Sequence, residues 1–448
     1  MNRLLLALLL PVGLAVGQQQ LLVRQPPRLL GLSASAASSG PGGLELRFSR
    51  PMDRGSVAAA SRITPPLAVR WLAAGPVLKL SLNPGVRLDQ PLQLALAGRD
   101  RRAQPLPPSR WLWDPRPRIV AVVPVPGGEQ LQLREHNGRW QPLSPVWDSI
   151  LSVEPLGDGS GVAVVSQGRD AQAPAGQQIW MIPLQQRNLA PAAQGLQSPR
   201  AGPPTPLDRD THLFAHLSSN RFGDLLIQSG GLEPGSARTL LWPRRAARAI
   251  TLPYAASGPM RLLPQGGAVV VPISEGLSLQ DLPPRPPRQQ LLPGSRDLSS
   301  FCPRAGVALL VRHWPDFRRS LDVVEPGRPP RQVWIGPQAV LASSCQGNGE
   351  RFWIALIEGI QRPELTVLTL NRRGQIVARR SLPNWELEPG TPLNFDATTN
   401  QLLLVLRPWN RNGSGSVAAA PQAMVMDATT LALRPLHKQA RLALWLPP

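Results

Sequence analysis

From residue 118 to the end of the chain one pattern keeps returning: a strongly apolar run entered through a glycine or a polar turn. It occurs at residues 161–165, 224–227, 267–271, 306–311, 351–356 and 401–406, after a first copy at 119–125. Behind several copies lies a second strand pair around a polar turn, as at 365–370 and 375–378 around Asn371 to Gly374, and at 424–426 and 431–434 around Asp427 to Thr430. Apolar runs this short, bounded by turn residues, read as buried strands rather than helices. Fifty-three prolines and 39 glycines point the same way, because both residues destabilise helix interiors. Four strands per period are the signature of a β-propeller blade. Residues 118–448, shared among seven blades, give about 47 residues each, within the range of blade repeats. Residues 118–142 are too short for a whole blade, which leaves a slot for the alternating C-terminal strand at 442–446. The rival architecture is a large array of β-sandwiches.

The turn and strand "DATTNQLLLVL" at 396–406 resembles those of TolB-type propellers, a likeness general to the fold. The N-terminal part has a different pattern. Residues 44–48 (LELRF), 77–82 (VLKLSL) and 91–96 (PLQLAL) alternate apolar and polar side chains, the period of a half-buried strand. They are separated by Pro51, Pro65-Pro66, Asn83-Pro84-Gly85 and Gly98. The series "LRFSRPMD", "LSLNPGVRL" and "LQLALAGRDRRAQPL" resembles the bacterial Ig-like domain of the SbsA type. Phe48, Ser49, Pro51, Met52, Asp53, Pro84, Leu88, Asp100 and Leu106 match that pattern, while Leu94 and Ala103 stand where the family has an aromatic and a glycine. The resemblance covers residues 28–107 and implies a structural β-sandwich module of exported proteins, without catalytic residues. Residues 108–117, with Trp111 and Trp113 among prolines, read as a stiff connector between the two domains. Two insertions, residues 189–210 and the proline-rich 282–293, are expected to interrupt the blades.

Residues 1–17 have the form of a secretory signal: Arg3, an apolar run, and Ala15-Val16-Gly17 before a predicted cleavage after Gly17. Residues 18–27 read as a linker. No later segment is apolar and long enough for a membrane span, so the expected location is periplasmic or extracellular. The net charge of +20 is almost all arginine, with Lys79 and Lys438 the only lysines. The arginines are scattered and tyrosine is limited to Tyr254, a poor match to a nucleic-acid surface. An acidic surface or polysaccharide suits arginine better.

Cys302 and Cys345 lie 43 residues apart, at equivalent places in consecutive repeats. They are expected to form an inter-blade disulfide in an oxidising compartment, the alternative being two buried thiols. His212 and His216 sit near Phe214 on a possible strand, but a metal site needs a third ligand, and His136, His313 and His437 are remote. Asp158, among Gly157, Gly159 and Gly161, supplies too few carboxylates for calcium and reads as a hairpin turn. No paired acids, G-x-S-x-G, H-E-x-x-H, P-loop or G-x-G-x-x-G occurs in a credible context. No catalytic, cofactor or metal residue is therefore assigned. The recurring tryptophans, among them Trp353, Trp385 and Trp409, are expected mostly to fill wedges between blades.

The functional expectation is an exported, non-catalytic binding or scaffold protein whose propeller engages a protein or a cell-envelope polymer. A hydrolase or lyase with its site at the propeller channel is the rival, and a purely structural envelope component the third reading. A channel lined by serine, glycine and apolar residues favours binding. Paired acids at its mouth favour catalysis.

Overall fold

The computed structural model of the chain describes residues 25–448, apart from 36–41, 84, 168–175, 209, 232, 234, 245, 247, 287, 303–306, 326, 348, 360 and 410–419. The expected signal segment and its Gly17 cleavage site lie outside the described residues, as does Pro84. The chain divides into two compact units: residues 1–115 with 188–196, and residues 116–187 with 197–448.

The first unit is built of two four-stranded antiparallel sheets. One runs Leu29–Ser35, Gly43–Phe48, Val77–Leu82, Val69–Ala74; the other runs Leu189–Pro191, Ser109–Trp113, Leu92–Leu96, Arg62–Thr64. Alternation decides which side chains share the core. Leu44, Leu46 and Phe48 pack with Leu78, Leu80, Leu82, Leu92, Leu94 and Leu96, while Glu45 turns outward opposite Lys79 and pairs with it at 3.4 Å. The "PMD" and "GRD" segments meet: Met52 bridges Asp100, and the Asp53 N–H donates to Arg99 O at 3.0 Å. Asp53 also caps the short helix Arg54–Ala60 by accepting the Gly55 N–H at 2.9 Å. Gly98, at φ +145°, is required there, since a Cβ would lie 2.8 Å from the Val57 backbone.

Two expectations need correction here. Ser109–Trp113 is not a connector. It is a strand paired with Leu92–Leu96 along its length and with Leu189–Pro191 over Trp111–Trp113, and Trp113 is a core residue. The segment at 189–210 is not one insertion: Leu189–Pro191 is the edge strand of the first unit's second sheet, whereas Gln197–Ala201 and Thr205–Pro206 pair with Gln177–Arg187 in the second unit.

The second unit is nearly all β. Its described residues form seven antiparallel sheets of four or five strands, which we number as blades 1–7. Blade 1 combines Arg118–Val125, Gly128–Arg134 and Trp140–Trp147 with the C-terminal strand Leu442–Leu446. Leu446 pairs with Arg118 and Leu442 with Val122, so the end of the chain completes the blade with which the unit begins. The segment at 282–293 is also corrected: Gln289–Pro293 is the outer strand of blade 4, paired with Gly276–Asp281, and the prolines before it form a turn in which Arg285 N–H donates to Leu282 O at 3.1 Å.

The recurring apolar runs are the second strand of each blade, and their composition follows from double burial. In Arg118–Val125, Val120 and Val122 enter one core with Val162 and Val164 of blade 2, while Ile119, Ala121 and Val123 enter another with Leu403 and Val405 of blade 7. A strand packed on both faces has no side left for polar residues. Seven such inter-blade cores follow one another around the unit and close it into a ring. Trp353, 1% exposed, is a wedge between blades 6 and 7: it stacks on Phe395 at 4.5 Å and donates its indole N–H to Ala428 O at 2.9 Å. Cys302 and Cys345 are bonded, with Cα atoms 5.2 Å apart, and join blades 5 and 6 within their shared core.

Candidate binding site at the channel mouth

The first strand of each blade faces the axis of the ring. These strands are Leu442–Leu446, Ser149–Pro155, Phe214–Ser219, Arg261–Leu262, Arg296–Phe301, Ala339–Cys345, and Trp385–Leu387 with Asn394–Asp396. They enclose a channel of about 420 Å³. Its wall is rich in small hydroxyls, including Ser152, Ser218, Ser299, Ser300 and Ser344, with leucines between them. Ser343 Oγ donates to Ser299 Oγ at 2.8 Å and lies 3.0 Å from Ser300 Oγ, so the serines satisfy one another across blades 5 and 6.

Glu154 and Arg261 are the charged side chains of this wall. Glu154 accepts the Ser219 N–H at 2.7 Å. Arg261 donates to Leu217 O at 3.2 Å. Glu154 is partly buried in the channel wall, and desolvation there pushes its carboxyl up to about 7, against the opposing pull of Arg261 and the Ser219 N–H.

One end of the channel opens into a larger cavity of about 640 Å³ between blades 5, 6 and 7. Arg261, Leu298, Ser299, Ser300 and Leu393 border both spaces, so the two adjoin. Four carboxylates line the mouth: Asp297, Glu364, Glu386 and Glu388. Glu386 and Glu388 alternate along Trp385–Leu387 and the residue after it, so the strand period puts both on one side, where Arg407 lies between them. Glu386 is hydrogen-bonded to Arg407 Nε; Glu388 Oε2 stands 3.8 Å from that nitrogen and makes no hydrogen bond. Asp297 lies 2.7 Å from His313 Nε2, and Glu364 accepts the Ser381 hydroxyl at 2.8 Å. Trp385 and Trp409 border the same space, Trp409 held by its backbone N–H to Asn384 O at 2.8 Å. The cavity thus presents carboxylates, two indoles and apolar side chains of blades 5 to 7.

The residues singled out in the sequence fall elsewhere. His212 is buried against Asp208 at 3.3 Å and precedes the strand Phe214–Ser219, on which His216 lies. The His216 pKa is held down by burial and by Arg261. The described residues contain no group of three His, Cys, Asp or Glu that could hold a metal ion. Asp158 closes the hairpin between the first two strands of blade 2, accepting from the Ser160 N–H at 3.1 Å and hydroxyl at 2.6 Å, and pairs with Arg244 at 2.7 Å. Cys302 and Cys345 form the predicted bond. Glu154, Arg261 and the mouth carboxylates had not been singled out. "WELEP" at 385–389 did carry a signal, two acids at strand spacing beside a tryptophan, but nothing in the sequence placed that strand on the channel.

The described residues contain no helix long and apolar enough to cross a membrane. Fold and site define a seven-bladed β-propeller with an open, acid-lined channel mouth, carried on one chain with a two-sheet unit. No protein-family model matches the chain, and no curated protein sequence matches it. Solved structures with a similar fold include TolB from Acinetobacter baumannii, at 13% identity and TM-score 0.40, covering 66% of this chain and 77% of that one. The periplasmic gluconolactonase PpgL of Pseudomonas aeruginosa is similar at 15% identity and TM-score 0.42, covering 71% of this chain and 98% of that one. The β-propeller domain of the trilobed protease from Pyrococcus furiosus matches at 10% identity and TM-score 0.44, covering 80% and 97%.

Proposed function

We propose that the protein is an exported binding module and that the channel mouth recognises a basic, partly apolar segment of a protein partner. One observation carries the reading. In a chain with 20 more basic than acidic residues, four carboxylates gather around one ligand-sized cavity that also offers two indole faces. Arg407 is shared by Glu386 and Glu388, His313 lies against Asp297, and Glu388 Oε2 is left without a hydrogen bond. A lysine or arginine side chain would supply the missing donor, and its charge is also attracted to an indole face. The +20 charge of the chain opposes the approach of a cation, but such long-range fields are screened beyond about 8 Å at physiological salt. Selectivity then rests on contact within the cavity rather than on steering.

The two-sheet unit is read as an SbsA-type Ig-like module that spaces or anchors the propeller, its limits extended past 107 to take in Ser109–Trp113 and Leu189–Pro191. Export to the periplasm or beyond is supported by the disulfide, since such bonds persist in oxidising compartments; cleavage after Gly17 is proposed from the sequence alone. Panning a random peptide display library against the full chain tests the binding reading. Lys- and Arg-containing apolar peptides should be enriched on the native protein and lost on Glu386→Gln/Glu388→Gln and on Trp409→Ala. Enrichment of acidic peptides, or of the same peptides on all three proteins, would sink it.

The second reading is a hydrolase or lyase. It is favoured by the approach of Glu386 and Glu388 to a single cation, a pairing in which one acid could serve as proton donor and the other as base. A glycosidase and esterase substrate screen separates the two readings: turnover abolished by Glu388→Gln alone would replace binding by catalysis.

A further inference from the structure

The propeller has a second cavity, of about 540 Å³, at the seam where blade 7 meets blade 1. Its chemistry is the reverse of the channel mouth. Arg134 stands at the end of Gly128–Arg134 in blade 1, and Arg434 on Leu433–Gln439, the outer strand of blade 7. The two guanidinium groups are close enough for Arg434 to lower the pKa of Arg134, an effect second to that of burial. Like charges held together in a partly buried place are unfavourable unless something neutralises them.

Among the described residues nothing does so. Glu135 borders the cavity, but it is engaged elsewhere: Arg118 donates to it at 3.0 Å, Gln141 at 2.9 Å and Ser198 at 3.1 Å. Asp396, behind Thr399, accepts the Thr398 and Thr399 N–H groups and the Thr399 hydroxyl. No ion pair reaches Arg134 or Arg434 among the described residues, and Arg134 Nε is buried without a hydrogen-bond acceptor. A buried donor left unmade costs free energy, and an arginine fork is matched in shape to a carboxylate or phosphate edge. His437 borders the same cavity in a left-handed backbone conformation, φ 52°. Besides Arg118, which is paired with Glu135, the lining includes the apolar and aromatic side chains of Ile119, Val425 and Trp445. The Trp445 indole N–H is already given to Asn394 O at 3.0 Å, which leaves its ring face as the available surface.

We propose that this seam is a binding site for a phosphate-bearing ligand, whose oxyanion bridges Arg134 and Arg434 while its ring or apolar body lies against Trp445. Two unneutralised arginines match the charge of a phosphomonoester better than that of a single carboxylate. The site joins the first and last blades of the ring, at the strand that closes it, so occupancy ties the two ends of the propeller together. This inference is independent of the function assigned to the channel mouth, since the two cavities share no residue.

The test is thermal unfolding of the full chain in inorganic phosphate against chloride at equal ionic strength, with Arg134→Gln, Arg434→Gln and the double variant alongside. The unfolding midpoint of the native protein should climb with phosphate concentration. Each single variant should weaken that response about tenfold or more, and the double variant should abolish it. Without phosphate the variants should unfold no earlier than the native protein, because they lose a repulsion and no partner. Co-sedimentation with phosphatidylglycerol vesicles distinguishes the source of the phosphate. Vesicle binding lost in the double variant, with no response to free phosphate, assigns a lipid headgroup; an arginine-dependent response to free phosphate assigns a soluble ligand. A phosphate response equal in native and double-variant proteins overturns the proposal, as does the absence of both responses.

Discussion

The propeller holds two cavities of comparable size, about 640 and 540 Å³, that were built in opposite ways. The mouth cavity collects carboxylates in a basic chain and lies among blades 5, 6 and 7, where a disulfide fastens one blade to the next. The seam cavity collects arginines and lies between blades 7 and 1, which are fastened by the pairing of Leu442–Leu446 with Arg118–Val125. In both places the charged residues project from strand ends around an apolar inter-blade core. The difference teaches that net charge, here +20, describes neither site. What matters is which polar atoms the ring geometry leaves without a hydrogen bond: Glu388 Oε2 in one cavity and Arg134 Nε in the other.

The contrast in fastening yields the largest expected effect. The disulfide closes a loop of 43 residues, and both sulfurs lie in a core whose cysteines are 0% and 1% exposed. Loop-closure entropy puts its contribution at about 4 kcal/mol. Cys302→Ala/Cys345→Ala should shift urea unfolding by that order and loosen the wall of the mouth cavity, leaving the seam cavity's phosphate response intact. Equal loss at both cavities would mean that the ring responds as one body and that the comparison has no local content.

A smaller effect is expected at the channel. The fold favours the neutral form of Glu154, whose pKa stands at about 7, above the usual carboxylate range. The folded chain therefore holds this proton through a window in which the unfolded chain has released it, and stability falls as pH rises from the ordinary carboxylate pKa toward 7. Glu154→Gln removes that dependence. Urea unfolding at pH 5 and pH 8 should show the variant gaining on the native protein at the higher pH. Arg261→Met should move the Glu154 midpoint further up, read by carboxyl NMR, because Arg261 holds it down. An unchanged gap between native and Glu154→Gln proteins at the two pH values would contradict the burial of this carboxyl.

Much of the fold could be read from the chain because double burial leaves a plain mark. The second strands, such as Gln401–Pro408, must be apolar on both faces, and their recurrence counts the blades. The closing strand was legible because blade 1 lacked a partner in its own sequence, and the Cys302–Cys345 bond because blade equivalence set its spacing. Ser109–Trp113 was misread since prolines on either side imitate a linker, although a strand needs no more than five residues between them. The sites were not legible for a geometric reason. Glu154, Arg261, Asp297, Glu364, Glu386 and Glu388 come from five different blades, and Arg134 and Arg434 lie 300 residues apart. Only closing the ring brings them together.

The central claim, that the mouth reads positive charge and the seam negative charge, is tested most directly by one titration. Tryptophan fluorescence of the full chain would be followed as an arginine- and leucine-containing peptide is added, in native, Glu386→Gln/Glu388→Gln and Arg134→Gln/Arg434→Gln proteins. The account predicts saturable binding in the native protein and the seam variant, and about tenfold or greater weakening in the mouth variant. Equal binding by the native and mouth-variant proteins, or loss only in the seam variant, would contradict it.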